Sequence, residues 1–258
     1  MLKRLLLWTR PLRYYIDGLT YKRSDESGRL AALRNRYEGR PMLIVGNGPS
    51  LNSTPLDDFS HIPAIGMNKI DLLYPRVEWR PSLVICTNNL VIQQHAESLA
   101  SSTVPVYLSW KGRRFIARPL RKHFDFFLSL ASPEFSTELP MGVGSAGTVT
   151  YTALQFAHYL GANPVVLFGV DHSFETTGKP NEIEKRRGAD INHFDANYFK
   201  AGVHWGVPNL PLSETGYELA KSAFAASNRT IYDATVDGKL RIFPRISLDR
   251  ARALCGLQ

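Results

Sequence analysis

One stretch, residues 41–51 (PMLIVGNGPSL), constrains the fold of this chain more than any other. Residues 42–45 form an apolar run typical of a buried parallel strand, and the run leads directly into a turn that contains Gly46 and Gly48. Glycines allow unusual backbone angles and a close approach of a ligand, and Pro49 and Ser50 suit the first turn of a helix with its unpaired N–H groups. The pattern predicts a strand, a turn and a helix that bind an anion.

A dinucleotide-binding fingerprint would place a third glycine at position 51, where this chain has Leu51. The turn is therefore not expected to hold NAD. A tight connection between strand and helix that binds no ligand remains an alternative explanation of so short a motif.

Five further apolar runs predict the other strands of an open sheet. The runs of strand length are 61–68, 81–89, 104–110, 164–168 and 230–233. Strands that alternate with helical periodicity predict an α/β, Rossmann-like fold with a mostly parallel sheet and helices on both faces. A polar stretch at about 175–215 is long for a loop, and four aromatic residues in it favour a lid that folds over a site.

The length of 258 residues suits one large domain. We expect a single Rossmann-like nucleotide-binding domain over 41–258, preceded by a basic amphipathic arm and helix over 1–40. The chain has two cysteines, Cys86 and Cys255, without the spacing of metal ligands. This cysteine content favours a reducing compartment, so we expect a cytoplasmic protein.

The formal net charge of +8 is concentrated at the N-terminus, where residues 1–40 hold ten Lys or Arg against four Asp or Glu. Leucines, a tryptophan and basic residues alternate in the segment 1–18, as in helices that lie on anionic membrane surfaces. The apolar run is too short to span a bilayer, and an ordinary first helix remains the alternative. Basic and aromatic residues do not interleave on later elements, which disfavours a nucleic acid partner.

Asparagines follow three of the predicted strands. They are Asn47, Asn68, Asn88 and Asn89. In an open parallel sheet the carboxyl ends of the strands border one crevice, so we expect these amides to converge there. An amide offers a donor and an acceptor, which suits a base edge or the hydroxyls of a sugar. Asparagine is also common in turns for local reasons, and that explanation remains open.

The second half of the predicted fold supplies another possible anion site. Glycines at 142, 144 and 147 lead into a helix, and Ser145 and Thr148 lie where its N-terminus would present hydroxyl and N–H groups. The strand at 164–168 then delivers Asp171 and His172 to the same sheet edge. A basic run over 111–122 is expected to be a solvated surface or a contact to phosphate.

The titratable residues available for chemistry are Asp171, His172, His193, Asp195 and His204. Neither zinc-ligand spacing nor a nucleophile elbow occurs in the sequence, which disfavours metal-dependent hydrolysis and a serine triad. The remaining chemistry is group transfer from a phosphate-linked donor, in which a histidine accepts a proton from the acceptor hydroxyl.

Several of these motifs together resemble a known family. They are GNGPSL after the first strand, GMN at the next strand end, an asparagine-containing third strand end, and YLG followed by VVLFGVDHSF. The pattern resembles the 6-hydroxymethylpterin diphosphokinase MptE-like and motility accessory factor (Maf) family. It is also similar to the bacterial CMP-sialic acid sialyltransferases, which share a GNGPSL turn. The resemblance covers about 41–171, and more loosely extends to 244.

The resemblance implies roles for individual residues. Donor phosphate contacts are implied for Gly46, Asn47, Gly48 and Ser50. Contacts to the sugar or acceptor are implied for Asn68 and for Asn88 or Asn89. Contacts to the nucleotide are implied for Thr148, Thr150, Gly169 and Asp171. His172 follows the aspartate where the sialyltransferases have tyrosines that hold the departing phosphate. The general base is implied to be a lid histidine, either His193, which we prefer, or His204.

Three functions follow from this pattern. The first is a glycosyltransferase that moves a sialic-acid-like or other sugar from a CMP-linked donor to a surface-glycan or lipid-linked acceptor, without a required cofactor. The second is a diphosphokinase that uses ATP and Mg²⁺, with Asp171, alone or together with Asp195, as the metal ligand. The third is a nucleotide-binding protein without catalytic activity. For the transferase we expect a cytoplasmic location, with peripheral contact to the inner membrane through the N-terminus.

Overall fold

The structure, a computed structural model, describes residues 10–176 and 178–257. In chain order its strands are β1 (Met42–Val45), β2 (Ala64–Met67), β3 (Leu83–Cys86), β4 (Val106–Ser109), β5 (Asp125–Phe127), β6 (Val165–Phe168), β7 (Ile183–Lys185), β8 (His204–Gly206) and β9 (Ile231–Asp233). Seven strands form one sheet in the order β5-β4-β3-β2-β1-β6-β9, and all six neighbouring pairs are parallel. Strands β7 and β8 form a separate antiparallel pair.

Helices cover both faces of this sheet. In chain order they are α1 (Arg10–Lys22), α2 (Glu26–Ala31), α3 (Asn89–Ala100), α4 (Val149–Tyr159), α5 (Leu210–Ala226) and α6 (Leu248–Leu254). Successive residues of β1 belong to different apolar cores, because side chains alternate between the two faces of a strand. One core includes side chains of α1, α2, α4 and α5, and the other includes α3, α6 and part of the polar 175–209 stretch. The predicted α/β, Rossmann-like fold is confirmed.

The burial of the strands explains why they appear as apolar runs in the sequence. β1, β2, β3, β4 and β6 are buried at all four of their residues, as expected for parallel strands covered on both faces. The short strand β5 was not predicted from the sequence. Ser24 is a good helix cap in the sequence, and the Leu/Ala pattern after it indicates a helix that ends at Gly39. The helix α2 ends at Ala31 and is followed by turns, so it is shorter than this pattern indicates.

Three local features differ from what the sequence indicates. The helix predicted after the GNG turn begins at Pro49 as expected, but it is a 3-10 helix of five residues, Pro49–Ser53. The Asp237-Gly238 dipeptide predicts a hairpin turn between short edge strands. It does form a turn, but the segments around it are not a hairpin, because Asp233 of β9 forms a parallel bridge with Arg245. In the sequence, residues 213–215 (SET) indicate the start of a helix. The helix α5 begins earlier, at Leu210, where Asn209 caps it.

The predicted lid corresponds to residues 175–209, which we call the lid segment. Its inner part, residues 190–199, contributes the buried side chains Phe194, Tyr198 and Phe199 to the second core. Its outer part contains the β7–β8 pair, in which Ile183 is exposed. The lid segment therefore has a core-bound inner part and a more exposed hairpin.

Residues 1–9 of the basic amphipathic arm lie outside the described residues, and the arm continues as α1. Across residues 10–176 and 178–257, no helix combines the length and the apolar character needed to cross a bilayer. Cys86 and Cys255 are both buried as free thiols, and burial raises the pKa of Cys86 to about 12 and that of Cys255 to about 11.

Candidate active site

A cavity of about 440 Å³ lies at the carboxyl edge of the parallel sheet. Residues that follow β1, β2, β3, β5 and β6 line it from the sheet side, and residues of the lid segment line it from the other side. Ligands of open α/β sheets bind at this edge, because the strand ends and the following helix N-termini meet there. The cavity is therefore the candidate active site.

The GNG turn borders this cavity, but its glycines are explained by protein contacts. A Cβ atom on Gly46 would lie less than 3.0 Å from the backbone carbonyl oxygen of Gly169. A Cβ on Gly48 would collide with the carboxylate of Asp171, and Gly48 itself has ordinary extended backbone angles. The close approach that requires glycine here is therefore the approach of the chain after β6.

Asp171 also uses the donor groups of the following 3-10 helix. Its carboxylate accepts hydrogen bonds from the Ser50 backbone N–H (3.1 Å) and from the Ser50 hydroxyl (2.7 Å). Burial raises the pKa of Asp171, although the bonds from Ser50 oppose this shift. The N–H and hydroxyl of Ser50, which the sequence pattern offers to a phosphate, are thus bonded to a protein carboxylate.

Three longer helices present their N-termini to the cavity instead. The capping residues of α3, α4 and α5 are Asn88, Thr148 and Asn209, and all three line the cavity. None of these helices has an acidic residue in its first turn. The partial positive charges of three helix dipoles therefore converge on the cavity, together with the side chain of Lys111, which also lines it.

The loop before α4 is held rigidly although it is rich in glycine. The fully buried side chain of Gln155 accepts hydrogen bonds from the N–H groups of Gly144 (2.8 Å) and Ser136 (3.0 Å) and donates to the Gly144 carbonyl (3.0 Å). Gly147 has φ +71°, a backbone conformation that disfavours side chains. The α4 N-terminus is thereby fixed at the cavity wall.

A histidine–carboxylate pair faces the cavity from the lid segment. His193 Nδ1 lies 2.9 Å from Asp190 Oδ2, and His193 lines the cavity. Since a carboxylate accepts, this contact assigns the proton to Nδ1 and leaves Nε2 as the basic nitrogen. The imidazole ring stacks on Tyr198, with 4.0 Å between ring centroids and 2° between planes. The ring is therefore fixed both in its plane and in its tautomer.

Asp190 is suited to orient this histidine because it is buried and ionised. Its carboxylate also accepts hydrogen bonds from the backbone N–H groups of Asn192 (2.9 Å) and Phe199 (3.2 Å). Burial alone would raise the pKa of Asp190, but the hydrogen bond from His193, its charge and the bond from Asn192 hold the pKa below its usual value. The pair has the geometry of a general base with its orienting carboxylate.

The inner lid segment is attached to the sheet side of the cavity at separate points. The Phe194 N–H donates to the Asn47 carbonyl (3.0 Å), and the Asn52 side chain donates to the Phe194 carbonyl (3.1 Å). The buried ammonium of Lys69 donates to the Tyr198 carbonyl (2.8 Å), and burial lowers the pKa of Lys69. These contacts hold His193 against the strand ends.

A second polar group lies where the chain leaves β6. His172 has φ +54°, and its Nε2 lies 2.9 Å from Glu214 of α5. Its ring packs edge-on against Tyr217, whose centroid is 6.0 Å away. Burial raises the pKa of Tyr217, while hydrogen bonds with Thr148 and Thr150 lower it. His172 is thus committed to α5 and keeps the α5 N-terminus beside that of α4.

Two amide oxygens of the cavity wall lack partners. Asn47 Oδ1 and Asn68 Oδ1 are buried, and neither has a hydrogen bond within the described part of the chain. A buried acceptor without a partner costs free energy, so both atoms favour a ligand that brings N–H or O–H donors. Asn88, in contrast, uses its side-chain oxygen to cap α3 through the Leu90 N–H (2.9 Å). For Asn88 the local explanation applies.

Most residues expected at the site line the cavity. They are Gly46, Asn47, Gly48, Asn68, Asn88, Thr148, Thr150, Gly169, Asp171, His172 and His193. Three others do not line it: Ser50 is bound to Asp171, Asn89 lies within the first turn of α3, and His204 is exposed on β8. The sequence reasoning missed Asp190, Tyr217 and Asn209. Only Asp190 had a usable signal, its position three residues before His193.

A magnesium site at Asp171, which the diphosphokinase alternative requires, does not fit the side chains. Asp171 is bound to Ser50, and Asp195 accepts the Asn197 N–H (2.8 Å) and pairs with Arg76 (3.5 Å). Within residues 10–176 and 178–257, no cluster of three or more His, Cys, Asp or Glu side chains is arranged to hold a metal ion. The two carboxylates do not form a shared cation site.

No protein-family model matches this chain, and no curated protein matches it. Among solved structures, the chain is similar to the Maf glycosyltransferase from Magnetospirillum magneticum AMB-1, with a TM-score of 0.49 and 16% sequence identity. The match covers 86% of this chain but 38% of that protein.

Proposed function

We propose that this chain is a transferase, specifically a glycosyltransferase that takes a sugar from a nucleotide-linked donor. The observation that carries the proposal is the Asp190–His193 pair, which faces a cavity bordered by three helix N-termini. A positioned base and a site for a phosphate leaving group are the two requirements of transfer to a hydroxyl.

The donor phosphate is proposed to bind at the N-termini of α4 and α5. Gly147, Thr148, Asn209 and Leu210 line the cavity there, and the first N–H groups of a helix have no partner within the helix. The orphaned oxygens of Asn47 and Asn68 would then accept hydrogen bonds from the hydroxyl or amino groups of the donor. A CMP-linked sugar supplies both a phosphate and such donors, and it is the donor we favour.

The proposed reaction follows from these positions. The acceptor oxygen attacks the anomeric carbon, and the bond between that carbon and the phosphate oxygen breaks. His193 Nε2 takes the proton of the acceptor hydroxyl, and the ionised Asp190 stabilises the imidazolium that forms. The negative charge moves to the departing nucleotide phosphate, where the helix N-termini stabilise it. A surface glycan or a lipid-linked sugar is the acceptor class we propose.

Ligand-dependent stabilisation tests the donor. The melting temperature of the protein is measured with CMP, CDP, UDP, GDP and ATP, each with and without Mg²⁺, since a ligand of the folded state raises it. A rise with CMP or CDP that does not depend on Mg²⁺ is expected. A rise confined to ATP with Mg²⁺ would contradict the proposal and favour the diphosphokinase alternative.

Replacement of the base tests the chemistry. His193→Asn is expected to lower kcat for sugar transfer by about 10²–10⁴-fold and to leave nucleotide affinity unchanged. His204→Asn is the matched control, because His204 is exposed and does not line the cavity. If His193→Asn and His204→Asn both transfer sugar like the unaltered protein, the assignment of the base is wrong. If the unaltered protein and its variants bind nucleotide but none of them transfers sugar, the protein is better explained as a non-catalytic nucleotide-binding protein.

A further inference from the structure

Helix α1 is amphipathic, but its apolar stripe points away from the protein core. Leu12, Tyr15, Ile16 and Leu19 recur at the spacing i, i+3, i+4, i+7, which places them on one face of the helix. All four are exposed, between 39% and 65% of their full accessible surface. A surface helix normally turns its apolar stripe toward the core, so among residues 10–176 and 178–257 this stripe lacks the partner that its pattern predicts.

The opposite face of α1 holds the helix to the protein through polar contacts and the buried side chain of Tyr21. Asp17 is buried and pairs with Arg113 and Arg114. Thr20 accepts a hydrogen bond from the Trp110 indole N–H (3.1 Å), and Trp110 packs edge-on against the buried Tyr21. These contacts fix α1 on the 3-10 helix Trp110–Phe115. The outward direction of the apolar stripe is thus set by several specific contacts.

The surface around the stripe is strongly basic. In sequence, residues 10–23 and 110–123 contain ten Lys or Arg and one acidic residue, Asp17. Their formal charge of +9 exceeds the +8 of the whole chain. Arg114, Arg118 and Lys122 are exposed, and the apolar side chain of Phe115 is exposed among them. Basic residues next to an exposed apolar stripe complement a surface that is anionic outside and apolar beneath.

We propose that α1 and the turns 110–123 form a docking face for a bilayer that contains anionic lipids. The apolar stripe would enter the boundary between headgroups and acyl chains, and the basic side chains would contact lipid phosphates. A second copy of this chain fits the face poorly, because a symmetric dimer would bring the same basic surface against itself. The face also adjoins the cavity, because Lys111 of the Trp110–Phe115 helix lines the cavity while Arg113 and Arg114 hold α1.

Vesicle sedimentation with the full-length protein tests this inference. Vesicles of phosphatidylcholine alone are compared with vesicles of phosphatidylcholine and phosphatidylglycerol, at low and at high salt. The protein is expected to bind the anionic vesicles, and high salt is expected to weaken the binding. The double variant Ile16→Ser/Leu19→Ser should bind them at least about tenfold more weakly, because two apolar side chains no longer enter the bilayer.

The matched control is Met141→Ser/Ile183→Ser, which replaces two exposed apolar side chains elsewhere on the surface. It is expected to bind anionic vesicles like the unaltered protein. The charge variant Arg118→Glu/Lys122→Glu should also bind more weakly, with a smaller dependence on salt. Chemical denaturation of each variant, with an unfolding midpoint like that of the unaltered protein, shows that the fold is intact.

Three results would overturn the inference. One is equal binding to neutral and anionic vesicles, and a second is equal binding by Ile16→Ser/Leu19→Ser and its control. The third is a dimer in solution that Ile16→Ser/Leu19→Ser converts to a monomer, which would assign the apolar stripe to a second copy of the chain.

Discussion

The two glycine-rich turns of this protein look alike in sequence but are built differently. The turn at 46–48 packs against the chain after β6, and its helix of five residues donates to Asp171. The loop at 142–147 leads into the eleven-residue helix α4, whose first turn carries no acidic residue and borders the cavity. The first turn therefore joins β1 to β6, and the second is the better candidate for an anion site. A glycine motif alone does not distinguish these two roles.

The largest effect is expected for Gly46→Ala, which tests whether the first turn is a structural joint. The new methyl group would collide with the Gly169 carbonyl oxygen, a backbone atom that cannot move without disturbing β6. We expect a loss of about 3 kcal/mol or more in the free energy of unfolding, measured by chemical denaturation. Gly188→Ala, where a Cβ meets no atom within 4 Å, is the control. Equal stability of the two variants would remove the structural explanation of Gly46.

Asp171→Ala tests the contact that closes the first turn. The substitution leaves the Ser50 N–H and hydroxyl without their acceptor, and we expect a loss of about 2–3 kcal/mol in the free energy of unfolding. Asp171→Asn keeps one acceptor oxygen and should lose less. If Asp171→Ala unfolds at the same denaturant concentration as the unaltered protein, the turn does not depend on this carboxylate.

The same carboxylate gives a pH dependence with a defined sign. Because burial raises the pKa of Asp171, the folded state binds this proton more tightly than the unfolded chain. The resulting stability is present below the unfolded pKa and is lost as the pH rises through the folded pKa. Asp171→Asn should lack this contribution, which is measured as the difference between the two unfolding free energies across that pH range. A difference that does not change with pH would contradict the raised pKa.

Ser50→Ala separates the structural role of the first turn from a phosphate contact. The hydroxyl bonds to Asp171, so its removal should cost about 1.5 kcal/mol of stability and leave the Kd for CMP unchanged. Isothermal titration and denaturation of the same sample measure both quantities. A weaker Kd with unchanged stability would instead indicate that Ser50 contacts the ligand, as the sequence pattern implied.

Among these substitutions, Gly147→Ala is expected to change the free energy of unfolding least. It is expected to weaken the binding of CMP most. The positive φ at this position costs a side chain about 1 kcal/mol, and the adjacent N–H groups of α4 should shift with it. We expect a Kd for CMP at least about tenfold weaker. Gly206→Ala is the control, since Gly206 also lines the cavity and a Cβ there meets no atom within 4 Å. Equal Kd values for the two variants would place the anion elsewhere.

Much of the fold could be predicted because buried parallel strands are short apolar runs in the sequence. β5 was missed because it has three residues, begins with Asp125 and follows a basic run. The crevice at the strand ends also followed from the parallel sheet alone. The closure of the first turn could not be predicted, because Ser50 and Asp171 are 121 residues apart and nothing in either local sequence indicates the other.

Other features depend on tertiary contacts that leave no periodic signal. Asp190 lies in an irregular segment, so only its distance in sequence from His193 connects the two. The outward direction of the apolar stripe of α1 is set by Asp17, whose partners lie almost a hundred residues away. Sequence periodicity indicates which side chains share a face, but not whether that face meets the core.

The proposed base lies in the inner lid segment, while the N-terminus of α4, one of the two that would hold the donor phosphate, follows the loop after β5 on the sheet side. Recognition of the donor and activation of the incoming hydroxyl therefore belong to separate parts of the molecule. Because the inner lid segment is packed into the second core, an enzyme built in this way would keep its base in place before a donor enters the cavity. Donor binding would then require no folding of the chain around the base.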